Sequence, residues 1–118
     1  MRLNAGMFGL FVAVLIGATA TTAAGSRVWA QDSAAVAISV KGHKFQPAEV
    51  HAPANKRLAI AVKNLDPQPM EFESVSLRVE KVIAPGSEGV VNVRALAPGR
   101  YEFFDDFHQE TRGVLVVQ

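Results

Sequence analysis

The sequence predicts an all-β fold, an antiparallel Greek-key β-sandwich of seven to eight short strands. Short stretches alternate apolar and polar residues, which is the pattern of strands with one buried face. Turn signals recur about every eight to twelve residues, as in sandwich domains. No stretch beyond the N-terminal segment carries the apolar periodicity of an amphipathic helix. We therefore expect two sheets packed around one small core.

The first half of the domain predicts three strands. In the first, Val36, Ile38 and Val40 alternate with smaller or polar residues, and a turn follows at Gly42. A short extended segment over residues 49–51 predicts the second strand. The alternation over residues 58–62 is regular and predicts the third.

The second half predicts the remaining strands after an irregular segment. Residues 64–70 contain two prolines, which exclude a helix there. Extended patterns then resume and are separated by Pro-Gly turns at 85–86 and 98–99; they cover residues 71–73, 79–83, 91–93, 101–103 and 114–117.

Residues 1–30 have the pattern of a secretory signal peptide. Arg2 supplies a positive charge, an apolar run follows over residues 7–16, and residues 28–30 offer a cleavage site before Gln31. The run is shorter than the roughly 18–20 residues that a membrane-spanning helix needs. An uncleaved anchor is the alternative. We expect an exported, periplasmic protein whose single domain is residues 31–118.

Charge and cysteine content exclude several functions. Once Arg2 and Arg27 leave with the signal peptide, ten basic side chains stand against eleven acidic ones, so no basic surplus favours nucleic acid. The chain has no Cys. This excludes disulfides, thiolate nucleophiles, Cys-ligated zinc and iron–sulfur clusters.

The stretch from Gly99 to His108 is where chemistry is expected. A turn feeds an aromatic strand, which ends in Asp105, Asp106 and, three residues after Asp105, His108. The apolar segment from Gly113 then predicts the closing strand. A strand–loop–strand unit therefore presents carboxylate and imidazole groups at its tip. Capping of the turn by Asp105 is the alternative to ligation.

Together these features resemble the cupredoxin family over nearly the whole domain. The motif Gly99-x-Tyr-x-Phe-Phe-Asp105-x-x-His108 lies on the family's G-x-Y-x-F-x-C-x-x-H loop. Asn64 with Pro69 and Met70 lies where the family has an Asn, a Pro and its first copper-binding His. Gly42-His43-Lys-Phe-x-Pro matches the early loop that approaches the metal end.

The departures from the family pattern decide what the resemblance implies. A blue-copper site needs a Cys thiolate, two imidazoles and a weak axial Met. Asp105 stands at the Cys position and Met70 at the first His position, while Thr111 and Arg112 stand where the axial Met is expected. Only His108 stays in register. The sequence therefore predicts no blue (type 1) copper and no blue-copper electron transfer.

A particular branch of the family is more similar. The chain resembles the cupredoxin domains associated with bacterial ferrous-iron uptake through the segments Asn64-x-Asp-Pro, Glu71-Phe-Glu-Ser, Glu80-Lys-Val-Ile and Phe103-Phe-x-x-Phe-His. The resemblance implies a periplasmic protein that works beside a membrane iron permease. It also implies binding of copper or iron and assistance in the oxidation of Fe(II) before transport.

In the fold of that family the loops carrying these residues gather at one end. The predicted metal ligands are His108, Asp105, Glu71, Met70 and His43. Carboxylates with imidazoles suit iron, manganese or Cu(II), and a thioether favours copper. A homodimer is one way to complete the coordination sphere. No catalytic residue is assigned.

Two other functions compete with metal binding. In the first, the sandwich is metal-free and binds a membrane partner through Phe104 and Phe107. In the second, Asp105 and His108 do acid–base work in a hydrolase, but no nucleophile elbow or supporting motif accompanies them.

Overall fold

The computed structural model describes residues 33–118, and the predicted signal peptide lies outside the described residues. Within this range the chain forms nine strands: β1 Ser33–Lys41, β2 Lys44–Gln46, β3 Glu49–Ala52, β4 Arg57–Asn64, β5 Met70–Ser74, β6 Val79–Ile83, β7 Glu88–Val93, β8 Gly99–Asp105 and β9 His108–Val117. In this part of the chain no helix is long and apolar enough to cross a membrane.

The strands form two sheets, and the predicted all-β sandwich is confirmed. One sheet has the order β2-β1-β4-β7 and the other β3-β9-β8-β5-β6. The sheets are mixed rather than purely antiparallel, because β1 pairs with β4 and β3 pairs with β9 in parallel. The strand beyond the predicted number is β2, a three-residue segment that pairs back on β1.

Alternation within each strand places one face in the core. In β4 the apolar positions Leu58, Ile60 and Val62 are all buried. In β5 the burial also alternates, so that Met70 and Phe72 face inward while Glu71 and Glu73 face outward. The two strands come from different sheets, and their inner faces form the core of the sandwich.

Three phenylalanines fill the core close to the turns that carry His43 and Asp105. Phe103 packs against Phe45 with ring centroids 4.8 Å apart and against Phe72 at 5.1 Å. Gly113 on β9 makes room for this cluster. A Cβ atom there would lie 2.5 Å from Cζ of Phe103 and 3.0 Å from the carbonyl oxygen of Ala48. Gly at position 113 therefore lets the ring of Phe103 pack directly against β9.

Candidate metal centre

Asp105 ends β8 and organises the loop that leads to β9. Its side chain is only 1% exposed. Oδ1 accepts hydrogen bonds from the backbone N–H of Glu71 and of Phe107, both at 3.0 Å. Oδ2 lies 3.2 Å from Nδ1 of His108. Asp105 thus links β5, the loop and the histidine ring.

The contact with Asp105 sets the chemistry of His108. An ionised carboxylate only accepts hydrogen bonds, so the bond requires that Nδ1 of His108 carries the proton. The lone pair of the neutral ring is then on Nε2. Within residues 33–118 no hydrogen bond to that nitrogen occurs, and the side chain is 28% exposed. A carboxylate that orients an imidazole in this way is the usual support of a histidine metal ligand.

His43 reaches the same place from the turn between β1 and β2. Gly42 and His43 both have left-handed backbones, with φ of 60° and 58°, and Lys41 pairs with Lys44 across the turn. The rings of His43 and His108 lie with their centroids 4.1 Å apart and their planes tilted by 35°. The turn that carries His43 and the start of β9 therefore meet through this ring contact.

Asp66 holds the turn of His43 from the loop that follows β4. Its Oδ1 accepts the backbone N–H of Gly42 at 2.6 Å, and its Oδ2 accepts that of His43 at 3.0 Å. Oδ2 also lies 3.8 Å from Nδ1 of His43. The hydrogen bond from the His43 amide lowers the pKa of Asp66 most; burial opposes this, and the Gly42 amide adds to it. The backbone N–H of Asp66 in turn donates to Oδ1 of Asn64.

The structure separates Met70 and Glu71, two of the predicted ligands. Met70 is 2% exposed and belongs to the core. Glu71 is on the opposite, outer face of β5, with its ligand oxygen within 4.8 Å of those of Glu73 and Asp106. Among the described residues this acidic set is the one group of three or more His, Asp or Glu side chains that meets so closely. His43, Asp105 and His108 form a facing imidazole pair with a carboxylate anchor.

The acidic set on the outer face is held at an energetic cost. Burial raises the pKa of Glu71 and Glu73 above the usual value of 4.5, and the neighbouring carboxylates of Glu80 and Asp106 raise both further. Asp106 also accepts a hydrogen bond from Nε2 of Gln109. This cluster is half-buried and distinct from the histidine pair.

Sequence reasoning missed the residues that hold the turn of His43. Thr111, at the expected axial position, is buried, and its Oγ1 donates a 2.7 Å hydrogen bond to the carbonyl oxygen of His43. Asp66 was visible only as part of the motif Asn64-x-Asp-Pro. Nothing in the local pattern indicates that either residue bonds to the backbone of a turn far away in sequence.

The donor atoms present decide which metals fit the centre. With no Cys in the chain, there is no thiolate for a blue-copper site. Two imidazoles with a neighbouring carboxylate oxygen suit Cu(II), iron or another borderline divalent ion. The residues therefore fit a nitrogen- and oxygen-ligated ion.

Comparison with known proteins places the chain in a family. Residues 8–117 match the sequence profile described as Cupredoxin-like domain. Uncharacterized protein RP394 of Rickettsia prowazekii (strain Madrid E) is 39% identical over 83 residues, which are 70% of this chain and 66% of that protein. The chain thus spans slightly less than two thirds of this curated relative.

Solved structures share the fold at low sequence identity. The metal-binding domain of the Cu(I)-exporting P-type ATPase CopA of Streptococcus pneumoniae D39, solved with Cu(I), has a TM-score of 0.67 at 17% identity, covering 74% of this chain and 87% of that one. A reduced mutant of amicyanin has a TM-score of 0.59 at 16% identity, covering 71% and 82%. With the family profile matching almost the entire sequence, this chain belongs to the cupredoxin-like domain family.

Proposed function

We propose that this protein is an exported metal-binding cupredoxin that binds copper or iron through His108 and His43. The observation that carries the proposal is the placement of the two imidazoles, with ring centroids 4.1 Å apart. Asp105 fixes the orientation of one ring, and Asp66 fixes the turn that carries the other. Both carboxylates also accept backbone N–H groups, so Asp105 caps its turn, as the alternative interpretation expects, and orients a ring as well.

The chemistry of the ligands favours an ordinary copper or iron centre over a blue one. A bound copper or iron ion supplies Lewis acidity and one-electron redox chemistry. The residues of the chain bind the ion through neutral imidazole nitrogens, and Asp105 keeps the proton of His108 on Nδ1, away from the binding nitrogen. The buried carboxylate places negative charge beside the ion, which favours the more highly charged oxidation state.

We further propose that the protein works in the periplasm beside a membrane iron permease and assists ferrous-iron uptake. The N-terminal signal pattern supports export. The segments starting at Glu71 and Glu80, which resemble the iron-uptake branch, support the partner. The outer-face carboxylates Glu71, Glu73 and Asp106 also supply a negative surface that raises the local concentration of cations.

A Cu(II) titration followed by electron paramagnetic resonance tests the centre. We expect the protein expressed from the full sequence to bind one copper tightly, with a wide hyperfine splitting and no intense blue colour. His108→Ala is expected to abolish this signal, and His43→Ala to weaken it and to remove one nitrogen coupling. His51→Ala is the matched control, because His51 contacts Glu49 on β3 and does not contact the histidine pair.

The same titration can also contradict the metal proposal. If the parent and His108→Ala take up the same loosely bound copper, the metal proposal is wrong. If the parent does bind copper tightly, the rate of Fe(II) oxidation by the copper-loaded protein is measured next to that of the same three variants. This comparison separates binding alone from assistance in oxidation.

One observation favours a second function, a metal-free module for a membrane partner. Phe107 and Leu65 are 47% and 44% exposed, in the loops after β8 and β4. Large exposed apolar side chains of this kind often mark a contact surface. For this function we expect Phe107→Ser to abolish capture of the partner while copper changes nothing. A capture that depends on added metal contradicts it.

A further inference from the structure

The turn between β1 and β2 carries His43 in the left-handed backbone conformation, which residues other than Gly adopt uncommonly. A left-handed backbone crowds Cβ against the following carbonyl, and Gly is the residue that adopts it freely. The chain has Gly at position 42 and an imidazole at position 43, both with positive φ. A non-Gly residue in this region is retained when the surrounding structure over-determines it. Contacts on both sides of the His43 backbone hold it there.

The amide side of the turn is held by Asp66. Both oxygens of its buried carboxylate are used, one on the N–H of Gly42 and one on the N–H of His43. Charge-assisted hydrogen bonds of this type are stronger than those between neutral groups. The backbone N–H of Asp66 donates to Oδ1 of Asn64, and Nδ2 of Asn64 donates to the carbonyl oxygen of Gln68. The turn is thus fastened to the loop that follows β4.

The carbonyl side of the turn is held by Thr111. Its Oγ1 donates to the carbonyl oxygen of His43 at 2.7 Å across 68 positions of sequence. Thr111 is on β9, the strand that begins with His108. One strand therefore supplies His108 and also fixes the backbone of the residue whose ring faces it.

We propose that Asp66 and Thr111 are positioning residues that hold His43 against His108 before any ion arrives. The inference rests on the proposed metal function and deepens it. Thr111, at the position where the family pattern expects an axial ligand, instead anchors the turn that brings a different ligand. An ion then binds a pair that is already ordered, and the entropy of ordering the turn is not lost on binding.

Matched substitutions at Thr111 test this proposal. Thr111→Val keeps the shape but loses the donor, whereas Thr111→Ser keeps the hydroxyl. In the metal-free protein, expressed from the full sequence, we expect Thr111→Val to shift the amide resonances of Gly42 and His43 and to remove the nuclear Overhauser contacts between the two histidine rings. Thr111→Ser is expected to retain both. Asp66→Asn, which cannot accept from both amides in the same geometry, is expected to behave like Thr111→Val.

Copper affinity supplies the second measurement. We expect Thr111→Val and Asp66→Asn to weaken Cu(II) binding about 10- to 100-fold, as is typical when a residue that supports a ligand is lost. The loss should vanish in a His43→Ala background, because no ring then remains to be positioned. Thermal denaturation of each variant, compared with the parent, checks that the fold persists.

The outcomes distinguish the two proposals. If the parent binds no copper tightly, the proposed function fails and the inference fails with it. If the parent binds but Thr111→Val binds equally well with the ring contacts intact, only the inference is overturned. A loss of affinity that is undiminished in the His43→Ala background also overturns it, since the substitution then acts elsewhere.

Discussion

Replacement of Asp105 by Asn isolates its effect on the tautomer of His108. In the folded protein Oδ1 of Asp105 accepts both backbone N–H groups, and Oδ2 contacts the ring alone. The Asn side chain can keep its oxygen on the two amides. Its NH₂ group then faces Nδ1 of His108, and because that group donates, Nδ1 must accept. The proton moves to Nε2, the nitrogen that we propose binds the metal.

The expected magnitudes follow from these contacts. Loss of an orienting carboxylate weakens metal binding about 10- to 100-fold, which is about 1.4–2.8 kcal/mol. Stability should fall by only about 1–2 kcal/mol, because weaker hydrogen bonds to a neutral amide are partly offset by the lower cost of burying it. Asp105→Ala, by contrast, leaves two amides unpaired and should cost about 2–4 kcal/mol.

Two measurements check this prediction. Long-range ¹H–¹⁵N correlation spectra of the imidazole identify which ring nitrogen of His108 carries the proton, and a competition titration gives the Cu(II) affinity. An affinity within about threefold of the parent, with Nδ1 still protonated, refutes the reasoning. A loss of affinity without a change of tautomer instead identifies Asp105 as a direct ligand, as predicted from the sequence.

Three further predictions concern stability. His43→Gly should raise the free energy of unfolding of the metal-free protein by about 0.5–1 kcal/mol, while copper binding weakens. The gain is the cost of a left-handed backbone at His minus the larger conformational entropy that Gly loses on folding. A variant that is destabilised in urea unfolding contradicts this. Gly113→Ala should lower the free energy of unfolding by about 2–3 kcal/mol, because the added Cβ overpacks against Phe103. Gly99→Ala is the control, since a Cβ at Gly99 meets only ordinary contacts at 3.6 Å and beyond. Equal urea midpoints for the two variants would contradict the packing explanation. Burial and neighbouring carboxylates raise the folded-state pKa of Glu73 above 4.5, so its stability contribution falls as the pH rises above that value. Glu73→Gln should therefore stabilise at pH 7 and not at pH 4, and an equal gain at both would exclude this origin.

The strands could be predicted because alternation is a local property. Burial in β4, for instance, follows the period of two that the sequence shows. Pairing direction is not local, and the same alternation serves parallel and antiparallel neighbours. The parallel direction of the pairs β1–β4 and β3–β9 therefore could not be predicted from the sequence.

The same distinction applies to the candidate site. His108, Asp105 and His43 were accessible because a family motif or a turn marks each of them. Met70 and Glu71 are adjacent in β5, so the alternation of a strand places them on opposite faces. Their inclusion in one ligand set was therefore in tension with the predicted strand.

The arrangement of polar groups bears on whether the centre is a decayed copper site or one with a new use. A buried polar group without a partner would mark a site that had lost its ligands and had not been rebuilt. Yet within residues 33–118 no buried side-chain nitrogen or oxygen lacks a hydrogen-bond partner. Asp105 and Thr111, which replace expected ligands, each bond to a histidine.

Satisfied hydrogen bonds also serve a metal-free module, so they do not decide the matter. The backbone of His43 is more informative. If the turn mattered only for stability, Gly at position 43 would serve it better, and Asp66 and Thr111 would have less to oppose. A positive φ outside Gly is not by itself the sign of a site, since Asn55 and Arg78 also have one. His43 differs in that its amide and its carbonyl are both held and its imidazole lies beside His108. A ring held in this place has chemical value when it shares a ligand with His108, and for this reason we favour a metal centre over a contact surface.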